Sequence, residues 1–286
     1  MWMKPKKIFI TGIAGFIGYH LANKLAKEGY TVVGIDNFND YVYDSRLKQD
    51  RAIELKGITI HRADLTGGSD KNGNRFRQLI SDEKPDVVVH LAAHAGVRSS
   101  LEDPREYIDN NVIGTQNLIE ACEQNNIEKV IYASTSCVME GNQLPWKEDE
   151  PTHKPLNGYG YSKLMNECQF GTSKISKTIG LRFFTVYGPW GRPDMAIFKF
   201  TNGIVNDEPI DVYNYGDMIR DFTYVDDIIQ GIQIVIEADL EKNHEVFNIG
   251  YGDQVQLMDF IREIEKNLGR EAKLNMLPRH PADAIA

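Results

Sequence analysis

Gly12, Gly15 and Gly18 follow the apolar run Lys7–Thr11 at a G-x-x-G-x-x-G spacing, and Ile17, Leu21 and Leu25 then recur at four-residue steps. Together they describe a strand that turns sharply into a helix whose apolar face packs on a sheet. Glycine suits the turn because it has no Cβ. Its bare backbone also lets a pyrophosphate reach the unpaired N–H groups at the helix start. Ala14, Phe16 and Ile17 complete the turn and are expected to line the same cofactor.

Strand-like runs at Lys7–Thr11, Thr31–Asp36, 58–61, 87–91, 129–134 and 179–184 alternate with helical patterns. Such alternation implies parallel strands joined by crossover helices, so the expected fold class is α/β, a doubly wound Rossmann sheet occupying mainly residues 1–188. Beyond it Pro189, Pro193 and Pro209 break the chain, and helices are predicted over 196–206, Val225–Glu237 and Leu257–Leu268. We expect a smaller α/β substrate lobe over 189–286, interleaved with the first by some strand exchange. Residues 67–74, rich in glycine and short polar side chains, read as a mobile surface loop.

A net charge of −9 argues against a general nucleic-acid surface, so an anionic ligand must be met by a few placed arginines. No apolar run approaches the roughly 20 residues of a bilayer helix, and the chain reads as cytoplasmic. Cys122, Cys137 and Cys168 are odd in number and lack metal-ligand spacing, which predicts reduced thiols and no metal.

Asp36 ends the second strand run, where a carboxylate can accept both ribose hydroxyls of an adenosine. It would repel a 2′-phosphate, and the adjoining Asn37-Phe38 supplies no arginine to receive one, which favours NAD over NADP. Asp64-Leu65 after the third run are placed to flank an adenine, although turn aspartates are common. Leu91, Ala92 and Ala93 close the fourth run with side chains small enough for a flat cofactor to lie across them, and core packing accounts equally for Leu91.

Tyr159 and Lys163 stand one helical turn apart, so their polar ends converge, and the ammonium is expected to lower the phenol's pKa towards that of a useful base. Thr135 and Ser136 follow the fifth run at the carboxyl end of the sheet, where ligands of this architecture bind.

With the glycine turn, Asp36, the His90–Ala93 stretch, Thr135 and the Tyr159/Lys163 pair in this order, the chain resembles the extended short-chain dehydrogenase/reductase family, and within it the nucleotide-sugar epimerases. Ala95-Gly96-Val97-Arg98, residues 181–196 and residues 220–227 narrow the resemblance to the branch that inverts C4 of UDP-glucuronate. The resemblance implies that Thr135, Tyr159 and Lys163 are catalytic. It assigns NAD to Gly12, Ala14, Gly15, Phe16, Ile17, Gly18, Asp36, Asn37, Asp64, Leu65, Leu91, Ala92 and Ala93, with Tyr159 and Lys163 also touching the cofactor, and the UDP-sugar to Arg98, Ser136, Tyr213, Arg220 and Asp283. Thr185 and Arg192 match the positions that hold the sugar carboxylate, to which a guanidinium can donate two parallel hydrogen bonds. A homodimer formed through residues 107–125 and 161–176 is also implied.

The chain departs from the family pattern in two places. Val-Tyr-Gly after the catalytic hydroxyl becomes Val138-Met139-Glu140, and the Pro-Gly-Asp turn becomes Pro281-Ala282-Asp283. The family's last helical segment has no counterpart, so we expect a truncated or naturally short chain. C4 inversion of a neutral UDP-sugar, decarboxylation of UDP-glucuronate, and an NAD-sensing module without turnover remain as alternatives.

Overall fold

The first strand, β1 (Lys7–Thr11), is apolar at Ile8, Phe9 and Ile10 and lies inside a parallel sheet covered on both faces. The structure, a computed structural model, describes residues 6–67, 74–152, 155–281 and 283. Most of the expected loop at 67–74, and Ala282 of the expected turn, lie outside the described residues.

The strands are β1, β2 (Thr31–Asp36), β3 (Thr59–Arg62), β4 (Val87–His90), β5 (Lys129–Thr135), β6 (Lys177–Phe183), β7 (Thr185–Tyr187), β8 (Pro209–Val212), β9 (Ile219–Arg220), β10 (Phe222–Tyr224), β11 (His244–Ile249), β12 (Val255–Gln256) and β13 (Lys273–Met276). The α-helices are α1 (Phe16–Lys27), α2 (Arg46–Glu54), α3 (Asn74–Glu83), α4 (Ser99–Glu102), α5 (Pro104–Tyr107), α6 (Gly114–Gln124), α7 (Gly158–Thr172), α8 (Ala196–Val205), α9 (Val225–Glu237) and α10 (Leu257–Leu268).

The central sheet has the order β11-β6-β5-β4-β1-β2-β3, parallel throughout. Alternate residues of each strand enter opposite cores. Ile8, Ile10, Val87 and Val89 face α1 and α9, whereas Phe9, Val33, Ile35 and Val88 face the Leu118 side of α6. The order reverses between β1 and β4, and a crevice opens at the carboxyl ends of strands at such a point.

Residues 225–249 return to this sheet: α9 packs beside α1, and β11 adds the edge strand next to β6. The remaining strands form three two-stranded pairs, β7, just before Gly188, with β10, β9 with β12 and β8 with β13, and a small core gathers around Phe200, Ile210, Val212 and Ile261. β6 begins at Lys177, earlier than the apolar run suggests, because Lys177 pairs in register with Lys129 of β5. Backbone pairing extends the strand where side-chain pattern does not.

Ile232 of α9 and Leu25 of α1 are both fully buried in one cluster. Ile232→Ala should cost about 2–5 kcal/mol and lower the same unfolding transition that Leu25→Ala lowers. Denaturant unfolding followed by circular dichroism checks this, and separate transitions for the two variants would contradict it.

Candidate active site

The crevice at the β1/β4 reversal is a cleft of about 1040 Å³. Its floor is the glycine turn. Gly12 has φ +71°, and a Cβ there would stand 2.8 Å from the Ala92 nitrogen, while one at Gly18 would stand 2.2 Å from the Gly12 carbonyl oxygen. No side chain caps the start of α1 at Gly15, which leaves its first N–H groups for an anion. Thr11 accepts from the Ala92 N–H at 3.2 Å and bonds His90 Nδ1 at 2.7 Å, and His90 Nε2 bonds the Thr115 hydroxyl at 2.9 Å. Burial pushes His90 down to about 3, so the ring is neutral and pins the Leu91–Ala93 stretch against the turn.

Asp36 accepts from the Ala14 N–H at 3.1 Å and the Phe38 N–H at 2.9 Å, which aims its carboxylate at the cleft wall. Asn37 donates to Asp64 at 2.9 Å. The cleft is lined by Gly12, Gly15, Phe16, Ile17, Gly18, Asp36, Asn37, Asp64, Leu65, Leu91, Ala92 and Ala93, but not by Ala14, which contributes only backbone contacts to Asp36 and to Arg51. Arg62 sits opposite Asp36 in register and lies over the Phe38 ring at 5.9 Å, although it does not line the cleft. Sequence reasoning missed Tyr41, Tyr43, Lys48 and His94 on the same wall. The aromatic-rich loop after Asp36 was the signal for Tyr41 and Tyr43, whereas Lys48 on α2 and His94 beyond β4 had none.

On the opposite wall Asn157 caps α7 by accepting from the Gly160 N–H at 2.8 Å, which places Tyr159 in the first turn and Lys163 in the next. Thr135 and Tyr159 both line the cleft, and the Thr135 hydroxyl accepts from the Cys137 N–H at 3.3 Å. Burial raises the phenol's pKa, while the neighbouring Thr135 side chain and the Arg192 charge act to lower it. The expectation that Lys163 lowers it is corrected: Lys163 Nζ donates instead to the Ala133 carbonyl at 3.0 Å, and burial brings the amine itself down to about 8.

Met139 and Glu140, the two residues of the first departure from the family pattern, both have partners. Met139 Sδ accepts from Arg182 Nη1 at 3.0 Å. Glu140, 5 % exposed, accepts from the Leu156 N–H at 3.0 Å and the Asn157 amide at 3.2 Å, and so steadies the residue that caps α7.

Ser136, Thr185, Arg192, Arg98, Tyr213 and Asp283 all line the cleft. Arg192 does not offer the free two-pronged clamp expected of it. Nε and Nη2 donate to Asp194 at 3.0 and 2.6 Å, and Nη2 also bonds the Ala95 carbonyl, which leaves the Nη1 edge for a ligand. Arg98 pairs with Asp283 at 2.8 Å and lies 3.7 Å over the Tyr213 ring, a clasp across the mouth. Arg220 is the one expected substrate contact that does not line the cleft. It donates to the Ile219 carbonyl at 2.6 Å and stands near Glu140, Cys137 and Asp283.

A family model described as the NAD dependent epimerase/dehydratase family matches residues 8–250. The chain is 46% identical to Protein CapI of Staphylococcus aureus, covering 97% of this chain and 88% of that protein. It is 38% identical to the UDP-glucuronate 4-epimerase of Thermodesulfobacterium geofontis, covering 96% and 84%. The crystal structure of UDP-glucuronic acid 4-epimerase from Bacillus cereus, in complex with UDP-glucuronic acid and NAD, superposes with a TM-score of 0.86 at 37% identity, covering 97% of this chain and 88% of that one.

Between about 8 and its ordinary 10.5 Lys163 binds fewer protons folded than unfolded, so stability rises with pH across that window, and below pH 8 the full cost of its buried charge is present. Lys163→Met should therefore be more stable than wild type near pH 7, by about 2 kcal/mol once the lost hydrogen bond is subtracted, while losing activity. Urea unfolding near pH 7 and pH 10 checks it. A variant less stable at neutral pH would contradict it.

Proposed function

Because the chain belongs to the NAD dependent epimerase/dehydratase family, we propose that it is an isomerase that inverts C4 of UDP-glucuronate to give UDP-galacturonate. The observation that carries the reading is the Thr135–Tyr159 pair at the wall of a cleft whose floor is the glycine turn. The named UDP-glucuronate 4-epimerases among its relatives supply the substrate.

The cradle fits NAD. Side chains at Gly12 and Gly18 would collide with backbone, the start of α1 lacks a side-chain cap, and Asp36 offers a carboxylate where a ribose would lie. When bound there, NAD would supply an acceptor for the C4 hydride of the sugar and the donor that gives it back, so that none would be consumed. Tyr159 removes the proton from the C4 hydroxyl and gives it back after the 4-keto sugar has turned its other face. Thr135 donates to the phenolic oxygen and steadies its charge, and Arg192, whose field lowers the phenol's pKa, favours the same state.

The 4-keto uronate is a β-keto acid that loses carbon dioxide when the carboxylate bond aligns with the carbonyl π system. Thr185 and the Nη1 edge of Arg192 hold the carboxylate and restrict that alignment. Ser136, Tyr213, Arg98 and Asp283 meet the rest of the UDP-sugar, and Arg220 acts from behind through its field on Glu140 and Asp283. The residues after Gly188 that do not return to the sheet act as the substrate lobe.

We also read the chain as a cytoplasmic homodimer. In support, Ile108 (52 % exposed), Ile113 (46 %), Tyr161 (54 %) and Met165 (50 %) stand out on the turn before α6 and on α7, more apolar surface than a solvated face needs.

With UDP-glucuronate, the purified enzyme should yield UDP-galacturonate at constant total NAD, as read by liquid chromatography. Tyr159→Phe should lower kcat by roughly 10²–10⁴-fold. Release of carbon dioxide as the main product would replace the reading with decarboxylation, preference for a neutral sugar would move the substrate, and NAD binding without conversion would leave a sensor.

A further inference from the structure

Arg51, on α2, is completely buried, yet each of its hydrogen bonds goes to a neutral oxygen. Nε and Nη2 grip the Trp190 carbonyl at 3.1 and 2.6 Å, and Nη2 also reaches the Gly191 carbonyl at 3.4 Å. Nη1 donates to the Ala14 carbonyl at 3.2 Å and to the Tyr43 hydroxyl at 2.8 Å. One guanidinium thus joins the glycine turn to the segment that runs directly into Arg192.

That segment needs holding. Trp190 has φ +58°, a left-handed conformation that a bulky side chain adopts only where its surroundings over-determine it. His20 adds a bond to the Pro189 carbonyl at 2.8 Å, and the Trp190 ring packs on Tyr19 at 5.7 Å. The two bonds from Arg51 fall on the carbonyl of the strained residue itself, and the backbone direction they set determines where Arg192 projects.

We propose that Arg51 is a positioning residue for recognition of the substrate's carboxylate: by fastening the left-handed turn at Trp190 to the glycine turn, it sets Arg192 at a fixed distance from the cofactor cradle. The inference rests on the proposed uronate substrate. Loss of Arg51 then weakens selection for the carboxylate more than it weakens binding of the nucleotide.

Calorimetric titration in a Tyr159→Phe background, where turnover is silent, separates the two effects. Arg51→Met should weaken UDP-glucuronate binding by tenfold or more and change UDP-glucose binding by less than about threefold, with Arg51→Lys between. Trp190→Gly, which adopts a positive φ without strain, should restore part of the ratio when combined with Arg51→Met. Equal losses for both sugars, or an unchanged ratio in Arg51→Lys and Arg51→Met, would overturn the assignment. If Arg51→Met does not fold, the ratio in Arg51→Lys alone decides it. Parallel turnover of the unmutated enzyme keeps the questions apart: a wild type that neither inverts nor prefers UDP-glucuronate sinks the functional reading itself, whereas a discriminating wild type with unaltered Arg51 variants sinks only the role of Arg51.

Discussion

Glu167 and Arg182 form a buried ion pair in which Arg182 Nε and Nη2 donate to the two carboxylate oxygens, each at 2.9 Å, while Ser134 donates to Glu167 at 2.6 Å. Three elements meet there: α7, β6 and the end of β5. A fixed distance between Thr135 and Tyr159 depends on that junction, since one lies next to Ser134 and the other two turns before Glu167 on α7. Such a pair adds little net stability after desolvation, but breaking it leaves an uncompensated buried charge, so it restricts geometry more than it strengthens the fold. Asn157 and Glu140 hold the other end of the helix.

The chain carries a net −9, yet buried cations gather around the cleft. Arg51, Lys163 and Arg182 are all nearly solvent-free, and Arg192 bears on the phenol from the substrate side. Burial disfavours each charge, as the fall of Lys163 to about 8 shows, and of these cations it is Arg192 whose charge acts on the phenol against the effect of burial. Surface charge keeps the molecule acidic, whereas the interior prepares a site for anions.

The sheet was legible because parallel strands covered on both faces are continuous apolar runs, as in Val87–His90, and because α9 and α10 show undisturbed helical periodicity. The start of β6 at Lys177 was not, nor was the identity of β11 as the strand that makes the expected exchange, since each is set by backbone pairing with a distant strand. In the site, the glycine turn and the Tyr159/Lys163 spacing are local patterns and could be read directly. Partner choice could not: that Asp194 occupies two donors of Arg192, that Asp283 pairs with Arg98, or that Lys163 turns to Ala133, depends on residues that approach only after folding. Arg51 escaped notice for the same reason, because nothing in the pattern of α2 marks which of its cations points inward.

If one phenol serves both faces of C4 while the hydrogen removed from that carbon is held and restored, a label on that carbon stays with the sugar. The most direct test uses UDP-glucuronate labelled with deuterium at C4, followed by nuclear magnetic resonance of the product. Inversion at C4 with the deuterium retained is the expected result. Inversion with the label exchanged for solvent hydrogen would contradict the account.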